Sequence, residues 1–98
     1  MAESRLQIEA LRLLVLKTAW LMDTVGNRAA ATEIQAIKIA VPRAVQQILD
    51  RAIQVFGAAG LSADQPLAEM FAGARALRLA DGPDEVHLNA LGKAEFGR

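Results

Sequence analysis

Apolar and polar positions change rhythm at three places along the chain: Gly26-Asn27, Gly57 to Asp64, and Asp81-Gly82-Pro83. Helical periodicity fills the stretches between them. The first stretch predicts a helix from about Glu3 to Val25, with Glu3 in the opening turn suiting the positive helix end. From Leu13 to Met22 only Lys17 and Thr18 interrupt the apolar residues. A surface helix carries one apolar stripe, whereas this one is apolar around most of its circumference and needs cover on several sides. The second predicted helix runs from about Ala30 to Phe56. Its seam is Ile34, Ile37, Val41, Val45, Ile48, Ala52 and Val55, spaced three or four residues apart. Pro42 falls inside it and removes one backbone hydrogen bond, predicting a bend. Such a helix would span on the order of 40 Å. Gly57-Ala58-Ala59-Gly60 ends it, with a glycine free to take the left-handed cap.

Asp64-Gln65-Pro66 opens a third helix, Pro66 being suited to the first helical position, with Leu67, Met70, Phe71, Ala74, Leu77 and Leu79 on its buried side. Pro83 begins a fourth, with Asp84 and Glu85 in its first turn and Val86, Leu88, Leu91 and Phe96 as its contacts. Period-two alternation and hairpin signals are missing from the sequence. The expected fold is therefore all-α: an antiparallel up-and-down bundle in which short links make sequence neighbours pack together.

Composition narrows the chemistry. The 98 residues allow one domain, and 11 basic against 11 acidic side chains leave no net charge for neutralising phosphates. Nucleic acid and anionic membranes are therefore not expected partners. With no cysteine, disulfides and thiolate chemistry are excluded, and one histidine gives no basis for a metal cage. No apolar run approaches the roughly 18–20 residues of a membrane span. Glu3 and Glu9 near the start argue against a signal peptide. The chain is expected to be soluble and cytoplasmic.

The residues themselves offer few catalytic signals. The sequence holds no P-loop, no dinucleotide glycine fingerprint and no HExxH motif. Asp81-Gly82-Pro83-Asp84-Glu85 gathers three carboxylates, and two readings stay open. One is a turn followed by a dipole-stabilised helix start. The other is a general base at the tip of an interhelical loop, made rigid by Gly82-Pro83. His87 is expected to be a surface or bundle histidine. Arg75 and Arg78 are expected on a solvated face, paired with Glu69 or Asp81.

Three motifs in order carry a resemblance. Ile53-Gln54-Val55-Phe56-Gly57-Ala58-Ala59-Gly60, Pro66-Leu67 and Leu79-Ala80-Asp81-Gly82-Pro83 are similar to successive motifs in the carboxy-terminal helical domain of the acyl-CoA dehydrogenases. These are a glutamine-led glycine run, a proline opening a helix, and a loop with a catalytic carboxylate followed by glycine. The separation from Gln54 to Asp81 equals the family's separation between its glutamine and that carboxylate. Leu11–Asp23 resembles the second helix of the family's bundle. Departures are Ala58 for a glycine, Ala72-Gly73 for an Arg-Asp pair, Asp81 for the usual Glu, and Pro83 for Thr. The run from Leu79 to His87 resembles the branch that uses Asp as base.

The resemblance implies α,β-dehydrogenation of acyl-CoA thioesters with FAD, reoxidised by an electron-transferring flavoprotein, in a homo-oligomer (dimer or tetramer). It implies Asp81 as the base and Gly82 as a substrate contact. Gln54, Val55, Phe56, Gly57, Ala58, Pro83 and Glu85 become cofactor contacts by the same carry-over. Family members are several times longer, so the chain is expected to be a carboxy-terminal piece or a split subunit, lacking the domain's first helix and inactive alone. The competing class is a non-enzymatic helical module that associates through its apolar first helix. That reading leaves the Gln54, Pro66, Asp81 spacing unexplained.

Overall fold

A computed structural model describes residues 1–97, and no strand occurs among them. Its four α-helices are α1 (Ala2–Val25), α2 (Ala31–Phe56), α3 (Leu67–Leu77) and α4 (Asp84–Phe96), with a 3₁₀ turn over Gly57–Leu61 after α2. The predicted boundaries agree to within a residue for the two long helices. Pro66 stands one residue outside α3, where its carbonyl accepts the Met70 N–H at 3.0 Å and acts as the cap. α2 continues through Pro42, which is buried within it.

The packing differs from the expected bundle of sequence neighbours. α1, α3 and α4 each dock on α2, and no other pair of these helices packs together. α1 runs antiparallel to α2, as its polar contacts show. Arg51 donates to Ser4 Oγ at 2.8 Å and Gln7 Oε1 at 2.7 Å, Gln7 donates to Gln47 Oε1 at 2.7 Å, and Lys17 lies 4.0 Å from Glu33. The core follows Ile39, Ala44, Leu49, Ala74 and Ala30. Much of the expected seam, Ile34, Ile37, Val41 and Ile48, instead lines open apolar grooves beside α1.

α1 inverts the sequence reading. Its one buried side chain is Thr18, read above as an interruption, whose hydroxyl donates to the Leu14 carbonyl at 2.8 Å. Leu13 (66% exposed), Leu16 (56%) and Trp20 (63%) face outward. α3 and α4 are also more open than predicted: Met70, Leu77, Leu79, Val86, Leu88 and Phe96 are exposed, because no helix stands opposite them. The extents are 48 × 24 × 21 Å and the radius of gyration is 15.7 Å, against about 13 Å for a compact domain of this length. The accessible surface is 6934 Å², where about 5,400 Å² is usual for this mass. Exposed large apolar side chains on α1, α3 and α4 contribute to this surface. No helix among the described residues is long and apolar enough to cross a membrane.

Candidate active site

The loop between α3 and α4 is fastened at both ends. The Asp84 N–H donates to the Arg78 carbonyl at 3.1 Å, while Arg78 Nε donates to Asp84 Oδ2 at 2.8 Å. Arg43 of α2 donates its own Nε to the same oxygen at 3.1 Å, and Arg78 Nη1 reaches Gln46 Oε1 at 2.9 Å. Two helices are thus tied to a third through one carboxylate. Lys38 adds a further tie by donating to the Leu77 carbonyl at 2.6 Å, satisfying one of the orphan acceptors at the end of α3.

This overturns one expectation: Arg78 pairs with Asp84 and not with Glu69 or Asp81. Asp84, one of the three carboxylates gathered in this turn, is 3% exposed. Burial pushes its carboxyl up, but hydrogen bonds from Arg78 and Arg43, and their charges, outweigh that and hold it below the ordinary carboxylate range. Sequence reasoning also missed Arg43 and Gln46. A buried acid implies a cation, but nothing local indicates one supplied by another helix.

Asp81 stands at the tip of the clasped loop, exposed, with φ 54°. It is the one non-glycine residue at positive φ among those described. Such a residue costs energy that the surrounding structure must hold, and Asp tolerates the region better than most. Gly82 follows at φ 101°, half-buried, with the His87 ring beneath it. Among the described residues, neither the Asp81 nor the Gly82 N–H meets a backbone acceptor. Pro83 is half-buried in an extended conformation before α4, and Glu85 is exposed. His87 is a bundle histidine as expected, its Nδ1 hydrogen-bonded to Gln35 Oε1 of α2.

The second cluster lies elsewhere. Gln54, Val55, Phe56, Gly57 and Ala58 are all exposed at the far end of α2. Arg43 and Gln46, which hold the Asp81 loop, sit two to three turns earlier on that helix. The fold therefore does not bring the two groups into one pocket. Val55 and Phe56 line a cavity of about 480 Å³ with Ile8, Arg5, Ile48 and Arg51. Gly57, at φ 66°, turns the chain, and Gly60 is needed because a Cβ there would lie 2.9 Å from the Ile53 carbonyl oxygen.

Fold and loop together define a helical domain that displays an acidic turn between its last two helices. The chain belongs to the acyl-CoA dehydrogenase family: residues 1–96 match the model described as "Acyl-CoA dehydrogenase, C-terminal domain". It is 60% identical over 95 residues to human "Acyl-CoA dehydrogenase family member 11", covering 97% of this chain and 12% of that protein. It is 59% identical over 95 residues to mouse "Acyl-CoA dehydrogenase family member 10", covering 97% and 9%. The solved structure of an acyl-CoA dehydrogenase candidate from Mycobacterium abscessus superposes with a TM-score of 0.96 at 51% identity, covering 98% of this chain and 24% of that one. The family resemblance read from the motifs, and the all-α domain it implied, are both borne out. The chain spans a quarter or less of the length of these relatives.

Proposed function

We propose that this chain supplies the base-bearing helical domain of an FAD-dependent acyl-CoA dehydrogenase, with Asp81 as the base. The supporting observation is the tip itself: an exposed carboxylate at positive φ on a loop locked at its neck by Arg78 and Asp84. A thioester α-proton is weakly acidic, so the reaction needs a fixed base and a polarised carbonyl together. Asp81 takes the proton on its carboxylate. Its own free N–H donates to the thioester oxygen, and Gly82 admits the substrate close to the backbone. Asp is one methylene shorter than Glu, so the loop backbone must stand closer to the substrate.

FAD, when bound, supplies the acceptor for the β-hydride. The residues at the end of α2 fit one edge of such a group. Gln54 offers an exposed amide without a hydrogen-bond partner among the described residues. Val55 and Phe56 offer apolar surface, and nothing lies within 4 Å of the Cβ position at Gly57. Because this edge is remote from Asp81, the two belong to different sites, one completed by a neighbouring subunit. Pro83 and Glu85 would meet FAD beside Asp81. Acyl-CoA is the substrate class, electron-transferring flavoprotein the oxidant, and a homo-oligomer the working assembly. Exchange of Asp81 for Asn in the complete enzyme, with flavin reduction by acyl-CoA as readout, tests this reading.

A further inference from the structure

Two consecutive residues at positive φ, Asp81 at 54° and Gly82 at 101°, make a tip that does not hold itself. The Arg78–Asp84 clasp fixes the neck of the loop, but five residues lie between those anchors. What lies under the tip is His87. A Cβ built on Gly82 would lie 3.2 Å from His87 Nε2 and 3.7 Å from Cε1, so the imidazole edge abuts the loop backbone. The other side of the ring is tied to α2, because Nδ1 is hydrogen-bonded to Gln35 Oε1. That contact fixes the orientation of the ring. Nε2, on the opposite edge, is a buried nitrogen without a hydrogen-bond partner among the described residues. A group left unsatisfied in this way calls for an explanation beyond packing.

We propose that His87 is a positioning residue for Asp81: Gln35 orients the ring, and the ring supports Gly82 and so sets where the Asp81 carboxylate stands. This rests on Asp81 being the base. The links run from α2 through α4 to the loop tip: a hydrogen bond between Gln35 and the ring, and the ring edge standing where a Gly82 side chain would be. Gly82 is doubly constrained, since a side chain would be strained at its φ and would also press on Nε2. A histidine that merely fills space would affect folding and leave turnover per folded molecule unchanged. A positioning histidine affects kcat, because misplacing a base by about 1 Å costs up to about 100-fold.

The test uses the complete flavoenzyme containing this chain, normalised to bound FAD. His87→Ala is expected to lower kcat for acyl-CoA by roughly 10- to 100-fold with KM unchanged. Gln35→Leu is expected to reproduce most of the loss, and Gln35→Glu, which keeps an oxygen within reach of Nδ1, to recover it. Asn89→Ala, exposed on the same helix, stays at the parent rate. A parental kcat in both His87→Ala and Gln35→Leu overturns the proposal, as does a loss confined to KM. If His87→Ala does not fold, the two Gln35 variants decide. Asp81→Asn measured alongside separates the two claims. An active Asp81→Asn overturns the base assignment, whereas an inactive one beside a parental His87→Ala overturns the role of His87 alone.

Discussion

Arg78 and Asp84 are joined twice, once through backbone and once through side chains, and the loop that presents Asp81 lies between them. The carboxylate is 4% exposed in its side chain, while the Arg78 and Arg43 side chains are 29% and 41% exposed. That asymmetry decides which partner matters more. An arginine left alone can rehydrate in place, but the carboxylate cannot.

Removing an arginine should therefore cost more than neutralising the acid. Arg78→Ala is expected to lower unfolding free energy by about 2–3 kcal/mol and Asp84→Asn by about 1 kcal/mol. Urea unfolding followed by circular dichroism measures both. The opposite order would mean that Asp84 is not confined as described.

The same pair sets an acid limit. Asp84 is held below its ordinary pKa of 3.8, so the folded state binds its proton later than the unfolded chain as pH falls. Its contribution is fully present above that ordinary value and is lost as pH drops through the lower folded value. Asp84→Asn should accordingly flatten the decline in stability below about pH 4. Parallel acid-unfolding curves for parent and variant would contradict this.

Leu13, Leu16 and Trp20 leave α1 with an apolar outer face. The isolated chain is expected to self-associate at micromolar concentration, and Leu13→Lys with Trp20→Glu to shift it to monomer without loss of helicity. Sedimentation velocity reads the difference. A compact parental monomer would show that this face needs no cover.

Much of the architecture is legible in the sequence because its breaks are chemical. Gly26, the Gly57–Gly60 run and Gly82-Pro83 stop helices wherever they fall, so four helices follow from local rules. Which face each helix buries is not local. Thr18 turns inward because α1 meets α2 alone among the helices, and Leu77 and Leu79 stay out because no α-helix other than α2 packs on α3. The Asp81 tip is legible as a turn before a proline. Its framing by Arg43, Gln46 and Asp84 is not, since that ion pair exists only once α4 crosses α2. The distance between Asp81 and the Gln54–Ala58 edge is likewise a property of α2's length, which the motif spacing hides.

The base assignment is tested most directly by Asp81→Asn in the complete enzyme, because the change keeps the shape of the side chain and removes its basicity. Stopped-flow mixing with acyl-CoA under anaerobic conditions follows bleaching of the flavin. With Asp81 as base, the variant retains FAD at the parental stoichiometry and its reduction rate falls by at least about 100-fold, while Glu85→Gln reduces at close to the parental rate. Near-parental reduction in Asp81→Asn, together with its loss in Glu85→Gln, would contradict the account and move the base to Glu85.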